Sequence, residues 1–248
     1  MYHFFVSPQQ IGEKEIRIEG ADVNHIRNVL RMPTGEQITV SAGEEKKEYR
    51  CEITQLEETY VLARIMWVEE SNTELPSKIC LLQGLPKGDK MELIIQKCVE
   101  LGVTEIIPVQ TRRAVVKLDK KKEEAKLRRW NAIAESAAKQ SKRTIIPRVG
   151  EVLSMKEALA YASGVDKKLI PYELAEGMET TREIFAGIRP GQSVAVFIGP
   201  EGGFEEQEIA LAKENDFFPI TLGKRILRTE TAGMAVLSVL MFQLEDAQ

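Results

Sequence analysis

From Lys78 onward the chain repeats one pattern: a short apolar run rich in β-branched residues, then a longer segment with helical spacing. KICLLQG (78–84), VTEIIPV (103–109), LIPY (169–172), SVAVFIG (193–199) and FPITLG (218–223) are the apolar runs. Runs this short that lack polar alternation are strands buried on both faces. Alternation with helices makes the sheet parallel and its faces helix-covered, an α/β architecture. The intervening helices carry their own signals. In DKMELIIQKCVELG, Asp89 is the N-cap, Gly102 follows the last turn, and Met91, Ile94, Ile95 and Cys98 recur on one face. A long helix is predicted over 120–140, and TAGMAVLSVLMFQL (231–244) forms the last one.

The first 70 residues have another texture. EIRIEG, EQITVSAG, KEYRCEITQLE and TYVLARIMWVEE alternate apolar with polar residues, the mark of half-buried antiparallel strands. One helical stretch interrupts them, ADVNHIRNVLRM, with Asp22 as its N-cap and Pro33-Thr34-Gly35 as its stop. The expected organisation is a small β-barrel over 1–70, a linker over 71–77 and an α/β domain over 78–248.

Composition excludes several classes. The three cysteines are scattered, with no second Cys or His at metal-ligand spacing, so neither a zinc site nor a disulfide framework is expected. No apolar run approaches the ~18 residues of a membrane span, and MYHFFVSPQQ has no basic stretch leading into an apolar one. A cytoplasmic protein is the expectation. The net charge of −4 conceals an asymmetry: 13 Lys and Arg stand against 4 acids between Thr111 and Arg148, a local +9. A solvated helical face explains many such runs, but a phosphate backbone is a natural partner for this one. Arg112, Arg113, Lys142 and Arg143 sit at element ends, where side chains can converge on a strand. In the first domain Arg27 and Arg31, spaced i, i+4, form a second candidate RNA contact.

Ligands of open parallel sheets bind beyond the carboxyl ends of the strands. Three loops leave such ends here: 171–173, 199–203 and 223–230. The second contains GPEGG, which is neither a Walker A loop nor GxGxxG. By itself it reads first as a tight strand-to-helix turn using glycine for positive φ. The third, LGKRILRTETAGMAV, places Lys224, Arg225 and Arg228 before a helix that Thr229 or Thr231 can cap. A helix N-terminus attracts anions. Lys224 and Arg225 read equally as solvated surface, whereas Arg228, next to the capping motif, is the functional candidate.

These segments taken together resemble one family. HIRNVLRMPTGE, LPKGDKMELIIQKCVELGVTEIIPVQTRR, NAIAESAAKQSKRTIIPRV, FIGPEGGFEEQE and LGKRILRTETA are similar to the bacterial RsmE-type ribosomal RNA uridine-N3 methyltransferases of the SPOUT superfamily. The resemblance spans essentially the whole chain. The extreme N-terminus departs from it, with His3 where relatives often carry an arginine. It implies a PUA-like N-terminal barrel, a C-terminal α/β domain with a deep trefoil knot, and a homodimer. It implies S-adenosylmethionine as methyl donor, with S-adenosylhomocysteine as product, and small-subunit ribosomal RNA as substrate, in the assembled subunit.

The donor would lie against Leu169, Ile170 and Pro171, then Ile198, Gly199, Pro200, Glu201 and Gly202, then Leu222, Gly223, Ile226, Leu227 and Arg228. Bare backbone at Gly199, Gly202 and Gly203 would meet the adenine edge. Arg228 would stabilise the anionic uracil, and Glu230 or Glu201 would take the proton, Glu201 being equally able to serve as a structural residue of its own turn. Two other functions compete: a related knotted methyltransferase acting on transfer RNA or a ribose hydroxyl, and a non-catalytic RNA-binding or ribosome-assembly factor.

Overall fold

A computed structural model of the chain describes residues 1–173, 175 and 177–245. The chain divides into two compact units, one of residues 1–74 and 138–146, the other of 75–137 and 147–248.

The first unit holds β1 (His3–Phe5), β2 (Glu15–Glu19), β3 (Gln37–Ser41), β4 (Lys47–Leu56) and β5 (Tyr60–Glu70). They form a curled five-stranded sheet, a half-barrel rather than a closed barrel. The order β1-β3-β4-β5-β2 places β1 and β2 at its two ends, and Ile11 bridges to Ile16 beyond β2. β2 shows why the period-2 pattern works: Ile16 and Ile18 are buried while Glu15, Arg17 and Glu19 face solvent. Phe4, Ile16, Ile18, Ile26, Ile38, Ile53 and Val61 share the core.

The expected helix over ADVNHIRNVLRM is two short pieces. α1 (Ala21–Asn24) is followed by a π-helical turn, His25–Val29. Its N-cap is Gly20, not Asp22, whose carboxylate instead pairs with Lys139 at 3.0 Å. Arg31 has φ 53°, so it lies past the helix end. The i, i+4 face inferred for Arg27 and Arg31 therefore does not exist, because a π turn bonds i to i+5 and Arg31 has left-handed backbone.

The stretch 71–77 is not a solvated linker. Ser71, Glu74 and Ser77 are all buried. Glu74 accepts from the Arg143 guanidinium, with Nη2 at 2.6 Å, and from the backbone N–H groups of Thr144 and Ile145. This buried pair is why residues 138–146, far along the chain, fold with the first unit. It also withdraws Arg143 from the candidate RNA contacts, since its side chain is 3% exposed.

The second unit contains a parallel sheet of β6 (Ile79–Gly84), β7 (Glu105–Gln110), β8 (Arg148–Val149), β9 (Leu153–Ser154), β10 (Lys167–Pro171), β11 (Val194–Ile198) and β12 (Phe218–Ile220). The order is β12-β10-β11-β6-β7-β8, with β9 also on β7. Helices α2 (Lys90–Glu100), α3 (Lys120–Gln140), α4 (Met155–Tyr161), α5 (Met178–Ala186), α6 (Glu206–Glu214) and α7 (Thr229–Leu244) alternate with the strands. All five residues of β11 are buried, as a central parallel strand requires. The α2 face behaves as its periodicity predicts, with Met91, Ile94, Ile95 and Cys98 buried. β6 and β11 are neighbours, while β7 follows on one side and β12 lies beyond β10 on the other. Such a reversal of direction opens a crevice at the carboxyl ends of the central strands.

Candidate active site

A cleft of about 670 Å³ opens at those carboxyl ends, within the second unit. Its size and mixed lining suit a small-molecule ligand. Pro171, Tyr172 and Glu173 after β10, residues 198–204 after β11, and residues 221–229 leading into α7 form its walls, with Lys90 and Arg113 at its edge. Pro171, Ile198, Gly199, Pro200, Glu201, Gly202, Leu222, Gly223, Ile226, Leu227 and Arg228 are all in the lining. Leu169 and Ile170 are not. Both are fully buried in β10, where Leu169 is in register with both β11 and β12 and Ile170 with β12.

The GPEGG turn is packed against the protein itself. A Cβ on Gly84 would stand 2.7 Å from the Pro200 ring, so the end of β6 and the turn touch backbone to backbone. Gly203 adopts φ +66°, which favours glycine. Gly199 and Gly202 abut Phe204 and Arg113, at 3.2 and 3.1 Å from an added Cβ. The absent side chains at these two positions make room for neighbouring protein, while both residues also line the cleft.

The start of α7 is tied to this turn. Thr229 donates its hydroxyl to the Gly199 carbonyl at 2.7 Å and accepts from Gln83 Nε2 at 2.9 Å. Its side chain is therefore occupied, and neither Thr229 nor Thr231 caps the helix. Arg228 holds the N-cap position in extended conformation, and no side chain bonds the first amides there. An uncapped N-terminus keeps its N–H donors and partial positive charge for whatever enters the cleft. The Arg228 side chain is exposed, with no ion pair to any described residue. The lining as a whole holds five cations, Lys90, Arg113, Lys224, Arg225 and Arg228, against two carboxylates, Glu173 and Glu201.

Both expected proton acceptors lie against Lys90. Glu201 accepts from the Lys87 amide at 3.1 Å and pairs with Lys90 at 2.9 Å. Burial pushes its carboxyl up, but the Lys90 hydrogen bond, with its own and the Lys87 backbone N–H, outweighs this and holds it below the usual range. A carboxylate so stabilised is a poorer base. Glu230 is outside the lining. Its Oε2 is buried without a hydrogen bond among the described residues and lies 3.5 Å from Lys90. Lys90 is the residue that sequence reasoning missed. Its signal was the loop after β6, which joins the cleft only because β6 lies beside β11.

The basic stretch is also less free than its sequence. Arg112 pairs with Glu205 at 3.1 Å, Arg113 donates to the Gly202 carbonyl at 2.9 Å, Lys122 pairs with Asp119 and Arg129 with Glu92. Lys117, Lys120, Lys121, Arg128 and Lys142 remain exposed without an ion pair to any described residue. Arg113 belongs to the cleft more than to an outer RNA face. Arg27 is half-buried and Arg31 exposed.

Comparison with known proteins gives the cleft a context. An RNA methyltransferase domain model matches residues 73–241, and an RNA methyltransferase PUA domain model matches 18–66. The ribosomal RNA small subunit methyltransferase E of Bacillus subtilis (strain 168) is 40% identical over 98% of this chain and 96% of its own length. That of Mesomycoplasma hyopneumoniae (strain 232) is 35% identical over 96% and 98%. The crystal structure of the Neisseria gonorrhoeae ribosomal RNA small subunit methyltransferase E bound to S-adenosyl methionine superimposes with a TM-score of 0.86, at 34% identity over 98% of this chain and 97% of that one.

Proposed function

Because this chain belongs to the ribosomal RNA small subunit methyltransferase E family, we propose that its cleft carries out S-adenosylmethionine-dependent methylation of small-subunit ribosomal RNA, at N3 of a uridine. The observation that carries the reading is the cleft itself: three motif loops meet there around an uncapped helix N-terminus, in a fold that binds the donor in the Neisseria gonorrhoeae relative. The residues present fit the donor. Ile198, Leu222 and Leu227 offer apolar surface, and the turns at 199–203 and 221–228 offer main-chain polar groups. When bound, the donor supplies a methyl group already activated by its positive sulfur.

The chain's own contribution is placement and charge. Holding nucleophile and methyl in line removes most of the entropic barrier. N3 of a neutral uracil is a poor nucleophile, and loss of its proton spreads negative charge onto both carbonyl oxygens. Arg228 and the amides at the start of α7 stabilise that charge, the helix start being held in place through Thr229. Glu201 is the pin of its turn. The proton passes to water in the open cleft, since pairing with Lys90 makes Glu201 a weak base and Glu230 lies outside the lining. The target base is unstacked to enter. Exposed Lys117, Lys120, Lys121, Arg128 and Lys142 hold the surrounding phosphates.

The same family membership supports a deep trefoil knot in the second unit, a cytoplasmic homodimer, and the assembled small subunit as substrate. The test is transfer of labelled methyl from the donor to small subunits purified from a strain lacking the activity, followed by mapping of the nucleotide. Label at uridine N3 is expected. No label in small-subunit RNA overturns the function, and label on another atom overturns the N3 assignment.

A further inference from the structure

Lys90 is the first residue of α2, and its ammonium lies between two carboxylates, Glu201 in the cleft lining and Glu230 outside it. It is 2.9 Å from Glu201 in the GPEGG turn and 3.5 Å from Glu230 in the first turn of α7. The Glu201 contact is a hydrogen bond, and it raises the Lys90 ammonium above its ordinary range. The Glu230 contact is longer, at 3.5 Å, and Lys90 is the partner that faces this buried Oε2. Glu230 thus depends on Lys90 for its countercharge. Lys90 is itself 31% exposed at the side chain and Glu230 only 16%.

We propose that Lys90 is a positioning residue for methyl transfer, which cancels the charges of Glu201 in the lining and Glu230 behind Lys90 so that they do not oppose the negative charge developing on the uracil. This rests on the methyltransferase reading above. Electrostatic catalysis depends on the whole fixed field at the reacting atoms, so a nearby like charge undoes what a cation supplies. Glu230 lies in the first turn of α7, so its uncompensated charge would oppose the positive helix start that stabilises the anion. Glu201 would be a second, directly in the lining. Lys90 acts through these two side chains. Its effect is on the charged transition state, and therefore on kcat more than on the binding of the cationic donor.

The experiment measures kcat and KM on small subunits at saturating S-adenosylmethionine for wild type, Lys90→Met, Lys90→Arg and the triple variant Lys90→Met/Glu201→Gln/Glu230→Gln. Calorimetric donor binding and a thermal melt are run on each as measures of folding. The amide at position 201 still accepts from the Lys87 N–H, so the turn keeps its bond. Lys90→Met is expected to lower kcat by about tenfold or more with KM little changed, the size of effect a single uncompensated charge has near a reacting centre. Lys90→Arg retains turnover, and the triple variant recovers most of what Lys90→Met loses, because the opposing charges are gone. Should Lys90→Met fail to fold, Lys90→Gln takes its place, alone and in the triple. Full turnover in Lys90→Met, or a triple variant as slow as the single one, overturns the proposal while leaving the methyltransferase reading intact. Wild-type protein that transfers no methyl to small subunits overturns both.

Discussion

The Thr229 hydroxyl donates to the Gly199 carbonyl across 2.7 Å, fastening the first turn of α7 to the turn that follows β11. Gln83, at the end of β6, donates to the same hydroxyl at 2.9 Å. Three elements distant in sequence are joined through one side chain that is 5% exposed. Thr229→Val removes both bonds and leaves the Gly199 carbonyl without this partner. The expected cost is about 1–3 kcal/mol of unfolding free energy, with weaker donor binding because a wall of the cleft loses its tether. Thr229→Ser retains both. Urea unfolding and calorimetry with S-adenosylmethionine measure the two effects, and an unchanged Thr229→Val would show that the bonded chain is incidental.

Arg228 presents the opposite case, an exposed side chain with no ion pair to a described residue. Its removal therefore touches stability little, within about 0.5 kcal/mol. If it stabilises the anionic uracil, Arg228→Ala lowers kcat by roughly a hundredfold, and Arg228→Lys recovers part of that. Single-turnover methylation of small subunits checks the rate, and a chemical melt checks the fold. Full turnover in Arg228→Ala would remove this residue from the chemistry.

The Glu74–Arg143 pair is a stability element, with both side chains 3% exposed. Arg143→Ala leaves a buried carboxylate unpaired and is expected to cost about 3–5 kcal/mol. Adding Glu74→Gln should recover part of that loss. The glutamine is neutral, yet its carbonyl oxygen still accepts from the Thr144 and Ile145 amides that Glu74 Oε1 serves. Urea melts of the two variants give the comparison, and an Arg143→Ala/Glu74→Gln double variant no more stable than Arg143→Ala alone would contradict it.

His3 makes the first unit acid-sensitive. Burial, then the charges of Arg50 and Lys139, lower its pKa from 6.5 to about 4. It is held neutral in the fold, with Nε2 hydrogen-bonded to Ser41 Oγ at 2.9 Å. The unfolded chain therefore binds a proton that the folded chain refuses between pH 6.5 and about 4. Stability is full above the upper limit and falls with pH through that window, by up to about 1.4 kcal/mol per pH unit from this one group. His3→Gln should flatten that part of the stability–pH curve. Denaturant melts at pH 7.5, 6.5, 5.5 and 4.5 test it, and parallel wild-type and His3→Gln curves would refute it.

Local patterns carried much of the fold. The apolar runs from Lys78 to Gly223 marked five strands of the parallel sheet, and helix α3 spans the predicted 120–140. The two-residue strands β8 and β9 are too short for any periodicity to show. The π turn at His25–Val29 was equally hidden, because its residues have ordinary helical spacing and only backbone hydrogen bonding distinguishes it from an α turn.

The candidate site was legible as motifs and not as an arrangement. FIGPEGGFEEQE and LGKRILRTETA name two walls of the cleft, and their glycines and cations are visible in the chain. Whether Gly199 and Gly202 face a ligand or neighbouring protein depends on Phe204 and Arg113 coming close, which chain order does not reveal. The same holds for Arg143, a surface cation by its flanking residues and a buried one by its partner Glu74.

What the sequence determined by itself is what propensity and periodicity encode over a few residues: element type, the buried face of α2, and the residue kinds at each strand end. Only the tertiary structure decided which loops share the cleft, because strand order is set by long-range packing. It placed β6 beside β11 and so brought Lys90 between Glu201 and Glu230. A charge acts over a few ångströms of space, whatever its separation along the chain, and so the roles of these three residues became readable only once the fold had set those distances.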